Sequence, residues 1–466
     1  MIKRPNRMGI SKKNSASNSS KPSRLSKRSL LLGITSLVLI VAGILLWSPW
    51  GDRLHAALFD PGIQKREIAL ALAEKGVQDE LPQDFVVHHR GVNVRVRPTY
   101  SFDENLDKEM RGLMASYKPD YGAFVAVDAN TGRILSLISW NKNDEWIRDH
   151  MALRATFPSA SVFKVVTAAA VISEKKMSAD SIISYNGSRH TLYKRNLFKD
   201  DVTRWTQHVP LKEAFAQSIN SVFGKLGVFL VGPTELKSYA EKFGFNRELP
   251  SDLPVQEGKA LITEDPWELA EAASGFTKFN TMSPLQGALI ASAIVNDGKM
   301  MEPYVVSSLA NEEGKKIYEA KAHISQIVID PQAAKEMREL MRETVESGTS
   351  RGSFRGFKTS SNALVDVGGK TGSLTGTDPK GKYDWFVGYG SSGGNKIAVA
   401  ALTISREYWK VKSSYLARKA IETYFEEKET AQDSLASDKV SVLGGGARKV
   451  ASRSKSRYKK NSGRKR

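Results

Sequence analysis

One uncharged run constrains this chain more than any other feature: Ser29 to Gly51 contains no Asp, Glu, Lys or Arg. Its apolar core from Leu30 to Trp50 would span about 30 Å as a helix, the thickness of one bilayer core. Nine Lys or Arg and no acid fill residues 1–28, and Trp47 and Trp50 stand at the far end of the run. A basic inner flank and aromatics at the outer interface predict a cytoplasmic tail over 1–28 and a single-pass helix over 29–51. Everything from residue 52 onward is then expected outside the cytoplasm, anchored to the cytoplasmic (inner) membrane. The run is longer than a usual signal-peptide core, and the small-residue site near Ala56 and Ala57 is poor, so retention is expected over cleavage.

The formal net charge of +19 does not describe the body of the chain. Residues 447–466 carry ten cations and no acid, so the two tails account for the whole excess. A neutral body has no bulk field to steer polyanions, and nucleic acid is not expected as a partner. Residues 429–446 read as a polar linker ending in Gly444-Gly445-Gly446, and the basic stretch beyond has the composition of a disordered tail. Its charge suits an anionic envelope polymer as partner. The absence of cysteine excludes disulfides and thiolate chemistry. The seven histidines, His55, His88, His89, His150, His190, His208 and His323, lack metal-ligand spacing. No metal and no cofactor is therefore expected. His88 and His89 should face opposite sides of an extended segment.

Residues 52–94 are too few for a second large domain and read as a connector or small pedestal with a helix near Lys65 to Lys75. From Tyr121 the pattern sharpens. Gly122–Val127 and Ile134–Ile138 are β-rich runs around the turn Asn130-Thr131-Gly132, and further strands are expected at Trp385–Tyr389 and Ile397–Ile404. Helical periodicity marks Val162–Ser173, Leu211–Phe229, Leu285–Asn296, Ala333–Glu346 and Ser414–Lys428. Strands at both ends with helices between them predict an α+β domain.

Three short motifs carry chemistry. In Ser161-Val162-Phe163-Lys164 the serine and lysine share one helix face, and a lysine desolvated by apolar neighbours can take a proton from the hydroxyl. The spacing alone is weak, since it recurs at Ser139, Ser173, Ser452, Ser456 and Ser462. Ser218-Ile219-Asn220 places a hydroxyl and an amide close together, a pattern repeated at Ser139, Ser184 and Ser360. Lys370-Thr371-Gly372-Ser373 holds the single Lys-Thr-Gly of the chain. On a strand Lys370 and Gly372 face one side and Thr371 the other, and an edge strand would also expose its backbone to an extended peptide.

Taken in order, the three motifs resemble the active-site signature of the penicillin-binding, serine D,D-peptidase family, to which the β-lactamases are related. Tyr121–Ser139, Arg154–Val166, Met282–Gly298, Gly348-Thr349 and Asp384–Tyr389 resemble further landmarks of that domain, so the likeness extends over residues 95–428. It implies a five-stranded antiparallel sheet flanked by helices, with a mostly helical subdomain between early and late strands. It also implies roles: Ser161 as nucleophile and Lys164 as general base, with Ser218 relaying a proton and Asn220 holding Lys164 and the substrate amide. Lys370, Thr371 and Ser373 would hold the substrate carboxylate, Gly372 would admit the peptide, and the backbone N–H groups of Ser161 and Ser373 would form the oxyanion hole. The implied activity is D,D-transpeptidation of peptidoglycan stem peptides, with β-lactams as inhibitors and D,D-carboxypeptidation as the alternative. A β-lactamase lacks support because no second base for deacylation is visible. A sensor would need a larger cytoplasmic partner domain, and a non-catalytic scaffold would be marked by loss of Ser161 or Lys164. Residues 51–110 cannot hold the glycosyltransferase domain of long family members, so a separate membrane glycosyltransferase is the implied partner.

Overall fold

The computed structural model describes residues 62–76, 81–142, 150–199, 202–359, 364–428 and 430. The expected membrane helix over 29–51 and both basic tails lie outside these residues. Among the described residues no helix is long and apolar enough to cross a membrane.

Along the chain come α1 (Lys65–Lys75), β1 (Phe85–His89), β2 (Val92–Tyr100), α2 (Glu104–Tyr117), β3 (Tyr121–Asp128) and β4 (Ile134–Asn141). A mostly helical stretch follows, containing α3 (Lys164–Lys175), α4 (Leu211–Ala216), α5 (Asn220–Lys225), α6 (Pro266–Ser274) and α7 (Pro284–Val295). Then β5 (Val306–Ala310), β6 (Lys316–Glu319) and α8 (Pro331–Glu346) lead to β7 (Asp366–Thr377), β8 (Lys380–Ser392) and β9 (Asn395–Ser405). A closing helix, α9, covers 413–428.

The central sheet has five antiparallel strands in the order β7-β8-β9-β3-β4. Strands β3, β4 and β9 carry long apolar runs because both faces of the sheet are covered, whereas the edge strand β7 is Gly-rich. Ala123, Val125 and Val127 point into one core and Phe124 and Ala126 into another, as the two-residue period of a strand requires. On the first face lies α7, all of whose residues are buried. Helix α2 packs Leu106, Met110 and Met114 on the second face, beside Leu416, Ala420 and Ile421 of α9. Burying a Leu- or Met-sized side chain contributes roughly 1.5–3 kcal/mol, so each face is anchored by several such terms. The β3–β4 turn forms where the sequence pattern puts it. Thr131 and Gly132 both donate to the Asp128 carbonyl, and Gly132 sits at φ 83°, where a Cβ would overlap the Glu302 carbonyl.

The N-terminal segment shares the main core. Ile68, Leu72, Phe85, Val87 and Val96 belong to the same apolar cluster as Val165 and Leu289. Strand β2 also pairs with β5 in a second sheet, ordered β1-β2-β5-β6. Lys65 reaches Glu302 at 2.8 Å. The fully buried Asp252 accepts the N–H groups of Val305 and Val306 at 2.9 and 2.7 Å. Burial pushes its carboxyl up to about 6, against the opposing pull of those two donors.

Two helices expected as continuous are not. The run expected over Val162–Ser173 opens as a 3₁₀ turn, Ala160–Phe163, before α3 begins. The run expected over Leu211–Phe229 breaks at Ser218, whose φ is 56°. Ser218 N and Ile219 N close α4 by donating to Phe215 O and Ala214 O, while Asn220 N turns away to Arg189 O at 2.7 Å. A tertiary bond thus replaces the next helical one.

Candidate active site

Three elements converge on one cleft of about 560 Å³, lined by Ser161, Ser218, Asn220, Thr371 and Ser373 among others. The 3₁₀ turn before α3 supplies Ser161, the α4–α5 break supplies Ser218 and Asn220, and β7 supplies Lys370 to Ser373. Among the described residues strand β7 is the edge of the central sheet, paired only with β8. Its free side therefore leaves backbone N–H and C=O groups available to an extended ligand.

Lys164 is fully buried. Its Nζ lies 2.9 Å from Ser161 Oγ, 2.7 Å from Asn220 Oδ1 and 2.5 Å from the Ser274 carbonyl oxygen. Asn220 Nδ2 donates to His190 O at 2.8 Å, which commits the Oδ1 atom to Lys164. Burial drives the Lys164 ammonium well below its ordinary pKa, and the nearby Lys370 charge adds to the effect. A neutral amine has two N–H groups and one lone pair. Asn220 Oδ1 and Ser274 O accept the two N–H groups, so the lone pair is left for the Ser161 hydroxyl. That is the arrangement a general base requires.

Lys370 is also buried, and burial lowers its ammonium to about 7. Its Nζ donates to Ser218 Oγ at 3.1 Å and to Thr371 O at 2.9 Å, and it lies 5.5 Å from the centroid of the Phe215 ring. The left-handed backbone of Ser218 turns its hydroxyl toward this lysine. Thr371 turns the other way along the strand and meets Thr349, the two Oγ1 atoms 2.6 Å apart. Gly372 crosses the Ser161 turn closely, with Ser159 O, Val162 Cγ2 and Ala160 Cβ all 3.2–3.3 Å from where its Cβ would stand. Ser373 is exposed to the cleft.

Of the eight residues picked out from the sequence, Ser161, Ser218, Asn220, Thr371 and Ser373 line the cleft, Lys164 and Lys370 lie behind it on Ser161 and Ser218, and Gly372 packs against the Ser161 turn. Sequence reasoning did not find the Ser274 carbonyl, Gly275 or the Phe215 and Phe223 rings. Gly275 sits at φ 66°, and a Cβ on it would overlap the Ala160 carbonyl. Its backbone N–H donates to Ala272 O, so it caps α6 directly behind the Ser161 turn. Phe223 lies 5.7 Å from Lys164 Nζ and forms part of the desolvating wall. No local signal marks a carbonyl or an aromatic ring for such a role, because each acts through a neighbour distant in sequence. A Gly after an apolar helix was the one readable cue.

The family model described as the penicillin-binding protein transpeptidase domain matches residues 122–422. The chain belongs to that family. Among its relatives, the peptidoglycan D,D-transpeptidase PbpA of Mycobacterium tuberculosis is 29% identical over 323 residues, covering 61% of this chain and 62% of the relative. The match therefore spans less than two thirds of that protein's length. Stage V sporulation protein D of Bacillus subtilis is 25% identical, over 64% of this chain and 46% of the relative. Among solved structures, the penicillin G acyl-enzyme complex of penicillin-binding protein A from M. tuberculosis has a TM-score of 0.56 at 25% identity, covering 71% of this chain and 81% of that one. The D,D-transpeptidase domain of a peptidoglycan glycosyltransferase from Eggerthella lenta shares the fold, with a TM-score of 0.59 at 23% identity, over 75% of this chain and 97% of that one. The transpeptidase fold thus accounts for the antiparallel sheet and its helical covering layers.

Proposed function

We propose that this chain is a serine D,D-transpeptidase that acts on peptidoglycan stem peptides ending in D-alanyl-D-alanine. The observation that carries this reading is the buried Lys164, with its Nζ 2.9 Å from Ser161 Oγ and two carbonyl oxygens engaging its N–H groups. Ser161 Oγ attacks the penultimate D-alanine carbonyl as its proton passes to Lys164. The C–N bond then breaks, and the departing amine of the terminal D-alanine takes a proton through Ser218, leaving an ester on Ser161. An amine from a second stem peptide cleaves that ester and regenerates the hydroxyl, forming the cross-link. Water in place of the amine gives D,D-carboxypeptidation, the second reading. Names of relatives such as PbpA of M. tuberculosis favour transpeptidation.

In this mechanism Lys370, Thr371 and Ser373 receive the terminal carboxylate. The N–H groups of Ser161 and Ser373 stabilise the oxyanion, each such donor typically contributing about 3 kcal/mol. The β-lactam ring with its adjacent carboxylate presents the same groups, so penicillin should acylate Ser161 and stay bound. The run over 29–51 would hold the enzyme in the inner membrane, near a separate glycosyltransferase that supplies glycan strands. The tail over 447–466 would bind an anionic envelope polymer.

Intact-protein mass spectrometry after incubation with a labelled penicillin, followed by peptide mapping, tests the proposal. One adduct on Ser161 is expected, and none on the Ser161→Ala variant. A folded protein with no adduct, or with one elsewhere, would overturn it. Separating cross-linked dimers from shortened monomers in the stem-peptide products decides between the two readings.

A further inference from the structure

One hydroxyl joins the two walls of the cleft and has no place in the chemistry above. Thr349 lines the cleft just past the end of α8. Its backbone N–H donates at 3.1 Å to the carbonyl of Ala216, the last residue of α4. Gly348, before it, fits against the same residue: a Cβ there would stand 2.6 Å from Ala216 O and 2.8 Å from Ala216 Cβ. Ser350, after it, is buried and donates its N–H to the Thr344 carbonyl at 3.1 Å. Thr349 is thus fixed from both sides on the helical wall, at the end of the helix that leads into the Ser218 turn. From there its Oγ1 reaches across to the strand wall and lies 2.6 Å from Thr371 Oγ1.

Proton counting gives this bond a direction. A hydroxyl owns one hydrogen and two lone pairs, so one member of the pair donates and the other accepts, whereas a carboxylate only accepts. A substrate carboxylate against Thr371 takes the Thr371 hydrogen. The bond between the two threonines then survives only with Thr349 as its donor. That donation also polarises the Thr371 hydroxyl and makes its own hydrogen the stronger donor. We propose that Thr349 is a positioning residue, which donates to Thr371 Oγ1 and so aims the Thr371 hydrogen at the terminal carboxylate of the substrate. This deepens the acyl-transfer reading and rests on its placing of that carboxylate at Thr371. The Thr349 side chain is itself exposed to the cleft, so replacing it leaves the core packing intact.

Benzylpenicillin and its methyl ester test the inference on the full-length protein, since they differ in whether the carboxylate is free. The readout is the ratio of their second-order rates of Ser161 acylation, followed by intact-protein mass spectrometry, so a general change in reactivity cancels. The native protein should favour the free carboxylate. Thr349→Val should shrink that preference roughly fivefold, the weight of one hydrogen bond, while Thr349→Ser should keep it. In a Thr371→Val background the Thr349→Val change should move the ratio no further, because Thr349 acts through Thr371. Three results overturn the inference: a native ratio near one, a ratio unmoved by Thr349→Val or lowered as much by Thr349→Ser, and a further fall in the Thr371→Val background. The last would mean that Thr349 meets the carboxylate itself. Each leaves the reading beneath it standing as long as penicillin acylates Ser161 in the native protein, and a native protein that gains no adduct sinks both.

Discussion

The two walls of the cleft each bury a lysine, yet they treat it differently. On the helical wall Lys164 meets two carbonyl oxygens and one hydroxyl, so every contact has a use if the amine is neutral. On the strand wall Lys370 meets one hydroxyl and one carbonyl, and its pKa is lowered only to about 7. Under the proposed mechanism, similar burial therefore yields a base on one side and, on the other, a cation that a substrate carboxylate can restore. Satisfied acceptors and position, rather than burial alone, separate the two roles.

Lys164→Ala offers the largest test of that contrast. Acylation by penicillin should slow by ~10²–10⁴-fold, the usual effect of losing a general base, while circular dichroism stays native. A loss of less than tenfold would break the assignment. Gly275→Ala comes next, since a Cβ there meets the Ala160 carbonyl and must displace the nucleophile turn. With the base intact, acylation should still fall by about 10²-fold, the effect of a ~1 Å misplacement. Unchanged stopped-flow acylation would show that the turn yields freely.

Replacing Lys370 by Met sharpens the electrostatic side. The Lys370 charge helps hold Lys164 down, so its removal should move the acidic limb of the acylation pH profile to higher pH. An unmoved limb would show that the two walls do not communicate. The same variant has a stability consequence. The folded Lys370 pKa lies near 7, below that of an unfolded lysine, so the unfolded chain binds the extra proton between those values. Native stability should therefore rise with pH across that window, and the penalty of burying the lysine should be complete below about pH 7. Chemical denaturation should find Lys370→Met more stable than the native protein by about 1–3 kcal/mol at pH 7, with the gap closing toward pH 10. A gap that widens with pH would contradict the sign.

The sequence by itself determined the elements and the chemical alphabet of the site. Apolar runs bounded by turn residues marked four of the five central strands, and the Lys-Thr-Gly motif marked the fifth without showing that it was one. Its Gly-rich composition has weak strand propensity, and pairing along β8 creates the strand. The same holds for Ser218. Periodicity continued through it as a helix, but in the fold the helix breaks at Ser218, where Asn220 N bonds Arg189 O from a distant segment and the Ser218 hydroxyl meets Lys370. Tertiary structure also decided which of the Ser-x-x-Lys matches among the described residues has a buried lysine: Lys164 does, while Lys142 and Lys176 are exposed. Desolvation depends on what packs around a group, and Phe223 and the end of α6 come to Lys164 from far along the chain. Residue types and their short spacings are local and can be read in order, whereas burial, charge state and the aim of a side chain are properties of neighbours that only folding brings together.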